Sequence, residues 1–318
     1  MHFSQLGLHP DLVKGVKAMG FVDPTPIQAQ SIPVALKGGD ILGAAQTGSG
    51  KTAAFALPIL QKIMATPGPG PRALVLVPTR ELAAQVETMF RDCGRFSLVS
   101  IAMVIGGVGY HQQRQSFAQG AQVLVATPGR LLAHLQQGSV KLDKVQQLVL
   151  DEADRMLDMG FLPDIRSILG RVPKDRQTML FSATLGPEIE RVAAFALREP
   201  QRVEISRPTT VAEGISQIVY PINSMQKGQL VIAILKATQF RSAVIFCRTK
   251  HGADRLAHRL KAQGFSIGVL HADRTQGQRT ETMESFREGK VQILVATDIA
   301  ARGIDVADIS HVINYDVP

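Results

Sequence analysis

Short apolar runs recur along the chain, each followed at once by small, polar or charged residues: ALVLVPT, QVLVATP, QLVLDEAD and TMLFSAT, and then SAVIFCRT, SIGVLHAD, QILVATD and HVINYD. Segments with apolar residues at helical spacing separate them. Strands alternating with helices predict an α/β fold of parallel sheets with helices on both faces. The stretch SRPTTVAEGIS, Ser206 to Ser216, has neither periodicity, and the alternation begins again after it. One domain is therefore expected over residues 1–206, a linker over 207–215 and a second domain over 216–318. The last run, with Val312, Ile313 and Tyr315 bounded by Asp316 and Pro318, reads as a buried strand followed by a turn. TPGPGPR, Thr66 to Arg72, reads as a surface connector.

Open α/β sheets bind ligands just outside the carboxyl ends of their strands, so the polar tails of these runs are where chemistry is expected. AAQTGSGKTAAFALPIL follows the apolar stretch DILGA and passes into a helical pattern. A strict phosphate-loop pattern asks for glycine where Ala45 stands. The physics survives that substitution. In the loop Gln46, Thr47, Gly48, Ser49 and Gly50, the glycines let backbone N–H groups approach phosphate oxygens. Lys51 can reach the terminal phosphates and Thr52 can hold Mg²⁺ at a helix N-terminus. Such a loop needs an acid on a neighbouring strand, and QQLVLDEAD supplies Asp151 for the metal and Glu152 to orient or deprotonate the attacking water. Alone, two acids after a strand would more often cap a helix. Together with Lys51 in one domain they read as a nucleotide site.

Composition narrows the setting. At 318 residues, 45% hydrophobic and 19% charged, the chain has the make-up of a globular protein with room for two domains. No apolar run approaches the ~18 residues of a membrane span, and MHFSQLGLHPDLV lacks the basic start and apolar core of a secretory signal, so a cytoplasmic location is expected. Cys93 and Cys247 stand apart and read as buried thiols. A net charge of +8 suggests a polyanionic partner, although it also suits an enzyme of small phosphates.

With DEAD at 151–154, SAT at 182–184 and PTREL at 78–82, the chain closely resembles the DEAD-box RNA helicases over nearly its whole length, and DEADRMLDMGF is most like the bacterial RhlE-type branch. The resemblance implies two RecA-like domains and an RNA-dependent ATPase using ATP and Mg²⁺. GFVDPTPIQ resembles the family's Q motif, which implies that Gln28 reads adenine and that Phe3 stacks on the base. Ser182 and Thr184 resemble the motif that hydrogen-bonds the DEAD acids and couples nucleotide state to domain movement. ATDIAARGIDV is similar to motif V, implying that Asp305 approaches the ribose and that Thr297, Arg302 and Gly303 lie near RNA.

The same resemblance implies an RNA track through Pro78, Thr79 and Arg80, Gly106 and Gly107, and Thr127, Pro128, Gly129 and Arg130. It continues in the second domain through Arg248, Thr249 and Arg279. Glycines there would admit the strand to backbone amides and arginines would neutralise phosphates, so binding should be sequence-independent and salt-sensitive. Ala272 in LHAD departs from the family's usual LHGD. The implied mechanism is clamp closure, in which ATP and RNA bridge the domains, a short duplex loses pairs locally, and hydrolysis reopens the clamp.

The family's motif VI, HRIGRTGR, does not occur in the sequence. An arginine finger is typically worth ~10³ to 10⁵ in rate. Two expectations compete: a fragment of a longer helicase with an incomplete second domain that leaves apolar sheet surface uncovered, or a short ATP- and RNA-binding protein with little turnover. A DNA-translocating P-loop motor is the remaining alternative, and the Q motif and DEAD argue against it.

Overall fold

A computed structural model describes residues 2–46, 48–66, 68–205, 215–298 and 309–316. The chain divides into two compact units, Met1–Val211 and Ala212–Pro318. The expected linker falls almost wholly outside the described residues.

The first unit is built on seven strands: β1 (Ile41–Ala44), β2 (Ala73–Leu76), β3 (Ile101–Val104), β4 (Val123–Ala126), β5 (Gln147–Leu150), β6 (Gln177–Ser182) and β7 (Gln201–Glu204). Their spatial order is β3-β4-β2-β5-β6-β1-β7, with every pairing parallel. Alternate residues of a strand serve opposite faces. Ala73 and Val75 of β2 enter one core, with Phe55, Phe90 and Phe181, while Leu74 and Leu76 enter the other. This is why the central runs are apolar at every position. Gly43 of β1 makes room for Phe181, whose ring would lie 2.5 Å from an added Cβ.

Nine α-helices among the described residues of this unit pack on the two faces: α1 (Pro10–Ala18), α2 (Pro26–Leu36), α3 (Lys51–Ala65), α4 (Arg80–Cys93), α5 (Tyr110–Ala118), α6 (Pro128–Gln136), α7 (Ala153–Asp158), α8 (Leu162–Leu169) and α9 (Pro187–Ala196). Several begin where a strand has just ended. Thr79, for example, caps α4 by accepting a hydrogen bond on Oγ1 from the Leu82 amide at 3.2 Å.

The second unit holds β8 (Ala243–Cys247), β9 (Ile267–Leu270), β10 (Ile293–Thr297) and β11 (His311–Asn314), parallel in the order β11-β8-β10-β9. Helices α10 (Lys227–Ala237), α11 (Lys250–Lys261) and α12 (Gln276–Arg287) accompany them.

Two expectations are corrected. Among the described residues HVIN lies at the edge of its sheet rather than buried within it: Ile313 packs into a core, but Val312 on the opposite face is 58% exposed. TPGPGPR is more than a connector. Arg72 is 6% exposed, and an added Cβ at Gly70 would lie 2.1 Å from the Ala121 carbonyl, so the end of the loop is packed into the domain. Both cysteines are buried, and burial pushes each thiol up to about 12.

Candidate nucleotide and RNA site

β1, β6 and β5 are neighbours, so residues that follow their carboxyl ends meet although they are far apart in sequence. From β1 the chain enters the glycine loop. Gly48 and Gly50 have φ of 80° and 91°, left-handed conformations that glycine adopts without penalty. Gly50 then caps α3, which starts at Lys51. The ammonium of Lys51 is 6% exposed and donates to the Ala45 carbonyl at 2.9 Å, curling back over the loop it follows. Ser49 Oγ is buried without a partner among the described residues. Left-handed glycines, a buried lysine and an orphaned hydroxyl fit a phosphate cradle. Thr52, half-buried, occupies the second position of α3. Thr47 lies outside the described residues, and Gln46 is exposed beside it.

Asp151 follows β5 and is 2% exposed. Burial pushes its carboxyl up to about 6; nearby Lys51 and the Glu152 amide at 3.0 Å pull down, while Glu152 and Asp154 push up. A buried carboxylate beside a lysine and other acids suits a divalent cation, which would remove the cost of its charge. Thr52 and Asp151 are the residues that would hold Mg²⁺. Glu152 adopts a left-handed conformation, φ 51°, at the start of α7, and Arg155 Nη1 donates to its Oε2 at 2.6 Å. That pair is mostly buried, at 10% and 13% side-chain exposure.

The end of β6 joins the same acids. Asp154 Oδ2 accepts from the Ala183 amide at 3.1 Å and from Thr184 Oγ1 at 3.2 Å, while Ser182 Oγ accepts from the Thr184 amide at 3.3 Å. Thr184 therefore touches the fourth residue of DEAD directly, and Ser182 braces it. Asp154, part of the DEAD signature, is the acid that makes this contact, a role its place in the sequence does not single out.

The Q-motif segment reaches the loop through Gln28, 3% exposed, whose amide spans two backbone groups. Its Oε1 accepts from the Thr25 amide and its Nε2 donates to the Gly50 carbonyl, both at 3.0 Å. Gln28 thus braces the phosphate loop. Phe3 departs from expectation: at 2% exposure its ring is packed into the core and offers no open face to a base. The short 3₁₀ turn Phe3–Gln5 is held there by its apolar neighbours Leu6 and Leu8.

Three of the expected RNA-binding stretches come together beyond β2, β3 and β4, which are also neighbours. Pro78 and the capping Thr79 precede Arg80, whose Nη2 lies 2.9 Å from where a Cβ of Gly106 would be. Gly107 has φ 80°. Thr127 caps α6, followed by Pro128, Gly129 and Arg130. Arg130 Nη1 donates to the Val108 carbonyl at 3.1 Å, and its guanidinium lies 4.1 Å from the Tyr110 ring centroid. Arg130 is thus bonded to the 105–109 loop, and the Arg80 guanidinium lies close against it at Gly106.

Behind that loop, Gln113 donates to the Ile105 carbonyl at 2.9 Å and its Oε1 pairs with His134 Nε2 at 3.0 Å. His134 is fully buried between the Tyr110 and Phe117 rings. Burial, with Arg130 and Arg114 nearby, holds the imidazole below its usual value. Sequence reading passed over this pair, since a lone His and Gln on helices carry no signature.

In the second unit, Arg248 follows β8 and its amide donates to Asp316 at 3.0 Å. Thr249 caps α11 by accepting from the Gly252 amide at 3.0 Å, Arg279 lies in α12, and half-buried Thr297 ends β10. Arg302, Gly303 and Asp305 lie outside the described residues.

The DEAD/DEAH box helicase family model matches residues 25–192, and the helicase conserved C-terminal domain matches 226–318. ATP-dependent RNA helicase CshA of Limosilactobacillus reuteri is 42% identical over 100% of this chain and 64% of its own length. ATP-dependent RNA helicase DeaD of Escherichia coli K12 is 43% identical over 99% of this chain and 50% of its own. Among solved structures, S. cerevisiae Dbp5 bound to RNA and ADP BeF3 superimposes with a TM-score of 0.89 at 32% identity, covering 100% of this chain and 81% of that one. A DEAD box protein from Methanococcus jannaschii gives 0.62 at 36%, covering 100% and 86%. The chain thus spans about half to two thirds of the length of these curated relatives.

Proposed function

The chain belongs to the DEAD/DEAH box helicase family, and from that premise we propose that it is an RNA-dependent ATPase that couples ATP binding and hydrolysis to local, non-processive unwinding or remodelling of RNA. Its α/β units are of the RecA-like kind found in that family. The observation that carries the reading is the meeting of Lys51, Asp151, Glu152 and Thr184 beyond three adjacent strand ends, with Asp154 bonding Thr184.

In this reading the loop from Gln46 to Gly50 cradles the phosphates, and Lys51 exchanges the Ala45 carbonyl for a phosphate oxygen. Mg²⁺, held by Thr52 and Asp151, would supply charge neutralisation between the phosphates. Glu152 Oε2 accepts the proton of the attacking water. The Asp154–Thr184 hydrogen bond carries the state of the acids into the segment after β6. Arg80 and Arg130, with the glycines between them, take the RNA backbone without reading bases. In the second unit, Arg248, Thr249, Arg279, Thr297, Arg302 and Gly303 are the residues proposed to contact RNA, and Asp305 the ribose. Gln28 takes the adenine edge while keeping its bonds to Thr25 and Gly50. A cytoplasmic location accords with an RNA substrate, and no helix among the described residues is long and apolar enough to cross a membrane.

The test is ATP hydrolysis by the chain with single-stranded RNA, with single-stranded DNA and with neither, beside Lys51→Ala and Glu152→Gln. RNA should raise turnover more than DNA does. Lys51→Ala should lose nucleotide binding, and Glu152→Gln should bind without turnover. Stimulation by DNA alone would favour a DNA motor, and ATP binding unaffected by Lys51→Ala would sink the reading.

A further inference from the structure

The parallel strands give the first sheet two unlike edges. Lys51, Asp151 and Ser182 lie at the carboxyl ends, whereas Arg72, Gln146 and Gln177 stand where β2, β5 and β6 begin, at the amino ends. At this second edge a cavity of about 720 Å³ is lined by Lys62, Arg72, Lys144, Arg176 and Arg198, with Asp175 the one acid among its described lining residues.

The charges there are poorly compensated. Arg72 is 6% exposed, yet among the described residues its hydrogen bonds go only to neutral acceptors: the Thr66 carbonyl, Thr66 Oγ1 at 2.7 Å, Gln146 Oε1 at 2.9 Å and the Ile63 carbonyl at 3.5 Å. A buried guanidinium without a counter-charge is costly. Arg176 donates to Thr178 Oγ1 at 3.1 Å and the Pro173 carbonyl at 2.8 Å, again neutral groups. Burial lowers its pKa; Asp40 opposes that and Arg198 adds to it. Asp40 already accepts from the Thr178 and Arg198 amides, each at 2.7 Å. Arg198 donates to the Arg176 carbonyl at 2.6 Å and reaches the fully exposed Asp175 only at 3.5 Å. Lys62 and Lys144 are exposed and have no acidic partner among the described residues.

We infer that this cavity binds a small, multiply charged phosphate anion, at a site separate from the phosphate loop. The volume is that of a ligand pocket, and planar guanidiniums with lysines match the oxygens of a polyphosphate chain. An RNA strand fits less well, because the first-unit residues proposed to grip it lie at the opposite edge of the sheet. Inorganic polyphosphate and a nucleoside triphosphate share the required chemistry. The inference stands apart from the helicase reading.

Calorimetric titration of inorganic tripolyphosphate into the full chain tests it, beside Lys51→Ala, a Lys62→Ala/Lys144→Ala double variant and Arg72→Gln, each checked for an intact melting transition. Binding should persist in Lys51→Ala, weaken by at least about tenfold in the double variant and in Arg72→Gln, and weaken with added salt. The double variant changes two exposed residues, so it remains informative if Arg72→Gln does not fold. A non-hydrolysable ATP analogue that displaces tripolyphosphate from Lys51→Ala would identify a nucleotide as the ligand; no displacement would identify the free polyphosphate. Loss of all binding in Lys51→Ala, or equal affinity in the double variant, would overturn the inference. An unchanged response to Lys51→Ala at the other edge would damage only the helicase reading.

Discussion

Glu152 and Arg155 form a salt bridge of 2.6 Å at the start of α7, three residues apart and nearly out of water. The carboxylate proposed as the base is therefore held in place before any substrate arrives. Arg155 gains no other partner among the described residues for Nε and Nη2, which are buried. Removing one member strands the charge of the other. Arg155→Ala should destabilise the chain by about 3 kcal/mol, as breaking a buried pair typically does. Glu152→Gln combined with Arg155→Ala should cost less than the sum of the single changes. Urea unfolding of the four proteins measures the coupling, and strict additivity would mean that the pair contributes nothing to stability.

Asp151 gives the ligand-free chain a pH dependence of definite sign. Its carboxyl is raised from 3.8 to about 6, so the folded state holds the proton more tightly than the unfolded state does. The resulting stabilisation is complete below 3.8 and is lost as the pH rises through about 6. At neutral pH the charged carboxylate costs on the order of 2 to 3 kcal/mol. Asp151→Asn should remove that cost, stabilising the ligand-free chain at pH 7 and flattening its decline between pH 4 and 6, while abolishing Mg²⁺-dependent ATP binding. A decline that persists unchanged in Asp151→Asn would assign it to other groups.

The two glycines of the phosphate loop differ in what surrounds them. At Gly48 an added Cβ meets nothing within 4 Å, whereas at Gly50 it lies 2.4 Å from Gln28 Nε2 and 2.9 Å from Thr25 Oγ1. Both share a left-handed backbone, which costs a β-carbon about 1 to 2 kcal/mol. Gly48→Ala should lose about that much in thermal stability. Gly50→Ala should lose more, because it also displaces the Gln28 brace, and Gln28→Ala in the Gly50→Ala background should recover part of the difference.

How far these features could be read in advance follows from where each side chain lies. The central strands announced themselves because both faces are covered, which forces apolar residues at every position. β7, QRVE, is an edge strand with only Val203 buried, so its pattern was indistinguishable from a loop. β3, IAMV, sits at the other edge and is apolar throughout, but at four residues it is too short for its run to stand out from the segment around it. HVIN was read as buried because composition cannot distinguish a covered face from an open one. The phosphate loop, the acids and SAT were legible since their chemistry depends on residue type at fixed spacing. Phe3 was not, since stacking depends on which face of a ring is open. Gln113, His134 and the arginines around the amino-edge cavity act through contacts between distant segments, which no local pattern records.

His134 supplies the last pH effect. Since Gln113 donates through Nε2 to Ile105, its Oε1 is the acceptor, so His134 carries its proton on Nε2 and leaves Nδ1 bare and buried. A second proton would be placed on Nδ1, facing no acceptor among the described residues and close to Arg130 and Arg114. The imidazole is accordingly held below 6.5 by burial first and by those two arginines next. The folded state binds this proton less tightly than the unfolded chain does. Its contribution to stability is complete above 6.5 and is lost as the pH falls through the lowered folded value. His134→Gln should therefore flatten the loss of stability between pH 7 and 5, at some cost in packing against Tyr110 and Phe117. NMR of the His134 ring should show it less than half charged at pH 6.5, where an ordinary histidine is half charged; a ring at least half charged there would refute the assignment.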